Sequence, residues 1–487
     1  MSADATGAGR PPAAPSSSIR RDLAAAYLAS ASRFGSSVVI SALLFRYAGA
    51  AAFGMFALVR GTIGLLNYTT LGLAPALIHR AAGAVAEPVP VLPADEGVPG
   101  SVLAYETPES YLTPEPPRSP LQILYANALQ IAFFTGLIGI AISVAYAICF
   151  EKLYYVPQQL QGGMAGIVLL LGIGTILRLA SDASGGVLQV RHRIAQDNLI
   201  LAAGDLLWMV SSALFVFILA DRDAKFVAVA MLHVCSGAFV FLARYRVARE
   251  ETGVGWPRED WIDGTLVRSL LGYGLLVVAA QLADYLYAPT DYILINRLLN
   301  RTEPMALAYY APAVQIDSGL LLLVTGLSAV LLPKAAIAHA EGSTHTVRRY
   351  YIRGTLASLA MLAAASLCVW AAAPWILRVW LGNPMAGTQA ILPLVLIGTT
   401  LGGASAVGRS VLLAVGRARA FAISVLIAGV VNAGCSYVFV RFFHLGLPGI
   451  LLGTVVAVVL RCVFWMPWYV LHTLRRQEGK EVLSAEC

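Results

Sequence analysis

The stretch LQILYANALQIAFFTGLIGIAISVAYAICF, residues 121–150, contains no Asp, Glu, Lys or Arg. A helix that crosses the hydrocarbon of a bilayer needs about 20 mostly apolar residues. Lipid offers backbone groups no hydrogen-bond partners, so only helices or closed barrels cross it. A run this long of Leu, Ala, Ile and Gly reads as a spanning helix. Working outward, eleven further segments meet the same test, at roughly 22–46, 51–79, 163–190, 198–220, 225–245, 266–295, 305–333, 353–373, 387–413, 420–440 and 448–471. Arg33 and several serines interrupt the first, but its continuation from Val38 to Phe45 favours a span. The fold class is therefore an all-α polytopic membrane protein with twelve transmembrane helices. Composition agrees: 58% of the 487 residues are hydrophobic and 13% charged, where soluble domains carry about 25% charged residues.

Orientation follows from the Lys and Arg between the helices. With the N-terminus in the cytoplasm, 21 of the 34 basic residues fall on the cytoplasmic side, 8 on the opposite side and five within spans. Both termini are then cytoplasmic. The formal charge of +7 is mostly this insertion bias, and a nucleic-acid partner is unnecessary to explain it. Residues 1–21 are polar and Ala/Pro/Ser-rich and the first apolar run lacks a small-residue cleavage context, so the first helix is expected to stay in the mature protein. Cys149, Cys235, Cys368, Cys435 and Cys462 are isolated in apolar segments and no pair has metal or redox spacing. No metal, cofactor or catalytic residue is expected.

Residues 84–120 are rich in Pro and Glu and cannot bury enough apolar surface to order themselves, which reads as a flexible cytoplasmic insertion. The chain also echoes itself. Val187-Leu-Gln-Val-Arg-His-Arg-Ile-Ala-Gln is echoed about 225 residues later by Leu412-Leu-Ala-Val-Gly-Arg-Ala-Arg-Ala-Phe, and Leu73-Ala-Pro-Ala-Leu-Ile-His-Arg, closing the second helix, is echoed about 258 residues later by Leu331-Leu-Pro-Lys, closing the eighth. The difference matches the insertion. Two parallel six-helix lobes fit, a known transporter plan: a disordered cytoplasmic tail at 1–21, an N-terminal lobe at 22–245, an inter-lobe cytoplasmic loop at 246–265, a C-terminal lobe at 266–472 and a cytoplasmic tail at 473–487.

Five arginines, Arg33, Arg60, Arg178, Arg409 and Arg461, lie inside spans. A charge at bilayer depth costs several kcal/mol unless it faces water or a partner, so a shared cationic cavity for an anion is the expectation. Helical spacing aligns Arg33 with Ser30, Ser37 and Ser41, Arg60 with Gly64 and Asn67, and Arg178 with Thr175 and Asp182; it also aligns Gln281 with Asp284 and Asp291, and Asp317 with Tyr310. Structural readings stand beside these. Arg178 and Asp182, four apart, would neutralise each other, Arg409 would snorkel to headgroups, and Asp205 would be a packing or interface residue near the start of the fifth helix. The acidic residues would counter the arginines, bind a coupling cation or contact sugar hydroxyls. The candidate cavity set is Arg33, Arg60, Arg178, Asn67, Gln281, Asp284, Asp291, Asp317 and Arg461.

Gly49-Ala-Ala-Ala-Phe-Gly-Met-Phe-Ala-Leu followed by Leu71-Gly-Leu-Ala-Pro-Ala-Leu-Ile-His-Arg resembles the first two helices of the polysaccharide flippases. The run Ala283-Asp-Tyr-Leu-Tyr-Ala-Pro-Thr-Asp-Tyr-Ile-Leu-Ile-Asn-Arg-Leu-Leu, then Tyr309-Tyr-Ala-Pro-Ala and Leu331-Leu-Pro-Lys, resembles their seventh and eighth. These belong to the oligosaccharide flippase branch of the multidrug/oligosaccharidyl-lipid/polysaccharide exporter superfamily. The resemblance implies two lobes in a V, alternating access, and a polyprenyl-pyrophosphate-linked oligosaccharide moved across a bacterial cytoplasmic (inner) membrane for polysaccharide biosynthesis. It also implies a polymerase or glycosyltransferases as pathway neighbours, and it matches Asp291 to the family's helix-seven aspartate and Arg33 to its helix-one arginine. A coupling proton or sodium ion is a further candidate partner.

Four rivals remain: a lipid-linked peptidoglycan-precursor flippase, a multidrug/cation antiporter of the same superfamily, a membrane-embedded polysaccharide polymerase or ligase, and a non-transporting scaffold. An antiporter for cations should favour an acidic, aromatic cavity. A polymerase or ligase should carry a large external loop. Translocation itself needs no covalent chemistry, so the chain is expected not to be an enzyme.

Overall fold

A computed structural model describes residues 16–64, 66, 69, 73–86, 119–255, 261–285, 287–299, 301–383 and 385–485. The Pro-rich stretch 87–118 and Asn67 lie outside them. The first half contains α1 (Ser16–Leu43), α2 (Ala50–Ile63), α3 (Leu73–Ala86), α4 (Pro120–Leu153), α5 (Met164–Ala180), α6 (Asp182–Val190), α7 (Ile194–Ile218) and α8 (Arg222–Thr252). The second contains α9 (Gly264–Tyr285), α10 (Tyr287–Leu294), α11 (Ala306–Ala340), α12 (Thr344–Leu381), α13 (Ala386–Ala404), α14 (Ala406–Ala414), α15 (Ala418–Arg441), α16 (Gly446–Val458) and α17 (Met466–Ala485). Wide π-helical turns close α1 at Leu44–Ala48, α10 at Ile295–Leu299 and α16 at Val459–Trp465. Ten crossings among the described residues are long and apolar enough on their own, and the pairs α2–α3 and α9–α10, each with residues between its members that lie outside the described set, complete twelve.

Local chemistry explains the starts and breaks. Ser119 caps α4 through the Gln122 N–H while the Gln122 side chain accepts from the Ser119 N–H, with Pro120 at the first helical position. The fourth and tenth crossings each break at a serine, Ser181 and Ser405, whose hydroxyl donates to the carbonyl three residues back. The two breaks are 405 − 181 = 224 residues apart, matching the internal echo at the helix end that follows each. The same offset relates the backbone bonds Arg193 N–H to Leu188 O and Arg417 N–H to Leu412 O. The repeat is thus structural.

Apolar side chains face two ways. Phe134, Ile138, Leu214, Phe217, Trp375 and Val430 are exposed on the perimeter, where a bilayer rather than water would meet them. Inside, one cluster draws on both halves, with Phe53, Phe56, Phe150, Met164 and Phe226 packed with Ile295, Leu307, Leu392 and Ile450. At the opposite end, where Arg80, Arg191, Arg193 and Arg417 lie, the halves have separate cores. One surrounds Leu77, Tyr125 and Leu188, and the other surrounds Val347, Val411 and Met466. Two lobes therefore share one core at one end and keep separate cores at the basic end, where the start of α9 bridges them and Arg80 donates to Ser269 Oγ at 2.8 Å. The start of α9 leans on the first lobe, since Leu270 enters its core and Asn127 of α4 donates to Trp261 O and accepts from the Asp263 N–H.

Helices α5 and α8 approach most closely through glycine. A Cβ at Gly237 would sit 2.5 Å from the Gly174 carbonyl oxygen, a backbone atom that cannot yield cheaply. Gly237→Ala is expected to lower the melting temperature of the purified protein in detergent, at a cost of about 1–3 kcal/mol. Gly166→Ala, with nothing within 4 Å, is expected to leave it unchanged or slightly raised.

Candidate functional site

Each lobe encloses a cavity. The first, of about 440 Å³, is lined by Arg33 of α1, Arg60 of α2, Thr175 and Arg178 of α5, Asp182 of α6, and His233 and Arg244 of α8. Arg178 Nη1 lies 2.6 Å from Asp205 Oδ1, and Arg33 Nε lies 3.9 Å from Asp205 Oδ2. Asp205 on α7 is buried, whereas the Arg33 side chain is 61% exposed. Arg178 Nε and Nη2 and Asp205 Oδ2 are buried without a hydrogen-bond partner. Arg60 donates to Ser37 Oγ at 3.0 Å and lies over the rings of Trp208 and Phe56, at 5.3 and 5.6 Å. Deeper toward the basic end, Arg244 bridges Asp197 at 2.7 Å and Asp182 at 3.1 Å, and Gln189 donates to the other oxygen of Asp197. The described groups amount to four guanidiniums with three carboxylates beside them.

The second cavity, of about 320 Å³, is lined by Asp291 of α10, Tyr310 and Asp317 of α11, Thr399 of α13, Arg409 of α14, Thr454 of α16 and Arg461 of the following π-turn. Asp291 accepts from Asn432 at 2.9 Å, Thr454 at 2.8 Å and Tyr310 at 3.1 Å, all neutral donors. Thr399 donates to Asp317 at 2.6 Å. Arg409 and Arg461 both sit over Phe421 at 5.8 Å. Two carboxylates here face two guanidiniums.

The structure thus divides the five arginines that sequence reasoning gathers into one vestibule. Arg33, Arg60 and Arg178 share the first cavity; Arg409 and Arg461 line the second with Asp291 and Asp317. Arg409 turns to a cavity rather than to headgroups. Asn67 and the side chains of Gln281 and Asp284 lie outside the described residues. Two other expectations are corrected. Arg178 pairs with Asp205 and Asp182 with Arg244, because the break at Ser181 takes Asp182 out of helical register with Arg178. Asp205 lies between helices, against Arg178 of α5, but not near a helix start: α7 begins at Ile194, which puts Asp205 about 17 Å along its axis. His233, Thr399 and Asn432 were missed, and their one signal is a polar side chain within an apolar run.

Residues 280–438 match the family MatE. A search of curated protein sequences finds no match. Among solved structures the chain is similar to an "inward-facing conformation of a multidrug resistance MATE family transporter of the MOP superfamily", with a TM-score of 0.71 and 14% identity over 93% of this chain and 99% of that one. The outward-facing conformation of such a transporter gives a TM-score of 0.61 and 14% identity over 96% and 98%. A MATE crystal structure in complex with MaD3S gives 0.63 and 14% over 95% and 96%. The chain has the two-lobed fold of the MATE transporters.

Asp205 is the carboxylate on which the first cavity's charge arrangement rests. Asp205→Asn leaves the Arg178 guanidinium buried without an anion, and stability is expected to fall by about 3–5 kcal/mol. Adding Arg178→Met should restore most of the loss, as read by thermal unfolding in detergent.

Proposed function

We propose that this protein is an alternating-access membrane transporter whose first-lobe cavity receives the anionic headgroup of a polyprenyl-pyrophosphate-linked oligosaccharide. The observation that carries the reading is the convergence of Arg33, Arg60 and Arg178 from three helices on one cavity. A pyrophosphate offers guanidiniums charge-assisted, bidentate acceptors. Such pairing strengthens where the surroundings are less polarisable than water. Arg33, the exposed member of the set, is the side chain best placed to meet an incoming headgroup, with the polyprenyl tail left in lipid. The shared core at one end, the separate cores at the basic end and the higher TM-score against the inward-facing structure support a state open toward the cytoplasm. On this reading the chain sits in a bacterial inner membrane with both termini inside.

A second reading has its own support. Two of the similar solved structures are multidrug resistance transporters, and buried Asp291 and half-buried Asp317 in the second cavity are groups that would attract a cationic drug or a coupling ion. Likeness to known proteins weighs toward this reading, and the first-lobe arginines weigh toward an anion.

In proteoliposomes, Arg33→Ala/Arg60→Ala is expected to reduce translocation of a fluorescent polyprenyl-pyrophosphate glycan at least tenfold at normal membrane abundance. Unchanged translocation removes the anion reading. Loss of ethidium efflux in Asp291→Asn and Asp317→Asn, with the arginine pair dispensable, establishes the second reading in its place.

A further inference from the structure

The joined end holds two side-chain contacts between the lobes that are copies of one another. Arg46 is the third residue of the π-turn Leu44–Ala48, and Arg297 is the third residue of the π-turn Ile295–Leu299. Arg46 Nη2 donates to the carbonyl of Val379 in the last turn of α12. Arg297 Nε donates to the carbonyl of Leu153, the last residue of α4, at 3.2 Å. The donors are 297 − 46 = 251 residues apart and the acceptors 379 − 153 = 226 apart. Each lobe's first crossing thus reaches the end of the other lobe's third crossing.

Helix chemistry explains the targets. The last four carbonyls of a helix have no partner within it, and the C-terminal end of the macrodipole favours a cation. A π-turn widens the helix locally and re-aims the side chains it carries, and such turns are common at functional positions. Neighbouring contacts reinforce each clasp. Buried Asn296 accepts from the Tyr155 N–H at 2.9 Å and donates to the Tyr155 carbonyl at 3.0 Å, and Arg301 lies 5.9 Å from the Tyr155 ring. On the other side, Trp380 Nε1 donates to Val38 O at 2.8 Å. Gly382, with φ +76°, ends α12 in the left-handed region, and a Cβ there would lie 3.3 Å from Arg46 Nε. The helix end and the arginine are therefore closely apposed.

We infer that Arg46 and Arg297 form a symmetric pair of clasps that hold this end shut and must both release for the cavities to open there. The inference rests on the alternating-access reading. Both side chains are exposed, so their removal should leave folding intact while lowering the stability of the closed end relative to the open one. Neither of them lines the cavity of either lobe, and the pocket that Arg297 does line, with Tyr155, Asn296 and Arg301, is the clasp itself, so the clasps act on the conformational equilibrium and not on cargo held in the lobes.

The experiment is electron–electron distance measurement in nanodiscs, in a background with the six cysteines replaced. Spin labels at Lys152 and Thr302 report the clasped end, and labels at Arg191 and Arg417 report the basic end. Wild type should show a dominant short distance at the clasped end. Arg46→Ala and Arg297→Ala should each raise the ratio of long to short distances there about fivefold, and the double variant about 25-fold if the two add, with the basic end shortening in step. If a long-distance fraction exists in wild type but the variants leave it unchanged, the clasps are refuted and alternating access stands. If the distance stays short in every protein, both readings fall.

Discussion

A guanidinium cannot rest in hydrocarbon without water or an anion beside it, and this one requirement organises the interior of the protein. It turns the arginine-bearing faces of α1, α2 and α5 toward each other and away from the perimeter, where Phe134, Leu214 and Val430 are exposed instead. It also accounts for the buried acids of α7. Asp205 meets Arg178 and stands near Arg33, and Asp197 meets Arg244. Removing one partner of such a buried pair is costly even where the pair itself adds little net stability. The carboxylates therefore hold the cavity's charge in place more than they strengthen the fold.

Helix number, the two-lobe repeat and the membrane setting were legible because they follow from local properties. An uninterrupted apolar run reports a span wherever it occurs. The echo between Val187 and Leu412 found a real repeat because the broken helix and basic turn are chemistry of a few adjacent residues, recurring in the breaks at Ser181 and Ser405. Pairing was not legible in the same way. The four-residue spacing of Arg178 and Asp182 implies contact only on a continuous helix, and the serine break between them turns Asp182 toward Arg244 on α8. The depth of Asp205 depends on where α7 starts, at Ile194, and an apolar run does not mark the residue at which its helix begins. Splitting the five arginines between lobes needed the tertiary arrangement, which no single-helix pattern carries.

Symmetry and its absence divide the labour in this molecule. The backbone repeats: broken fourth and tenth crossings, matched basic turns, and matched π-turns reaching the opposite lobe. Such equivalence suits a rigid-body exchange, because two similar halves can rock about a shared end with comparable contacts made and lost on either side. The charges do not repeat. Four guanidiniums and Asp182 line the first cavity, with Asp197 and Asp205 paired to two of those guanidiniums, while the second balances two against two and satisfies Asp291 with neutral hydroxyl and amide donors. A cargo with one anionic end would therefore interact differently with the two lobes. Only a difference in affinity between states can bias a conformational equilibrium. Under the transport reading proposed above, an asymmetric interior in a near-symmetric frame would supply that difference, since rocking would change how much of the first cavity's excess positive charge a cargo could reach.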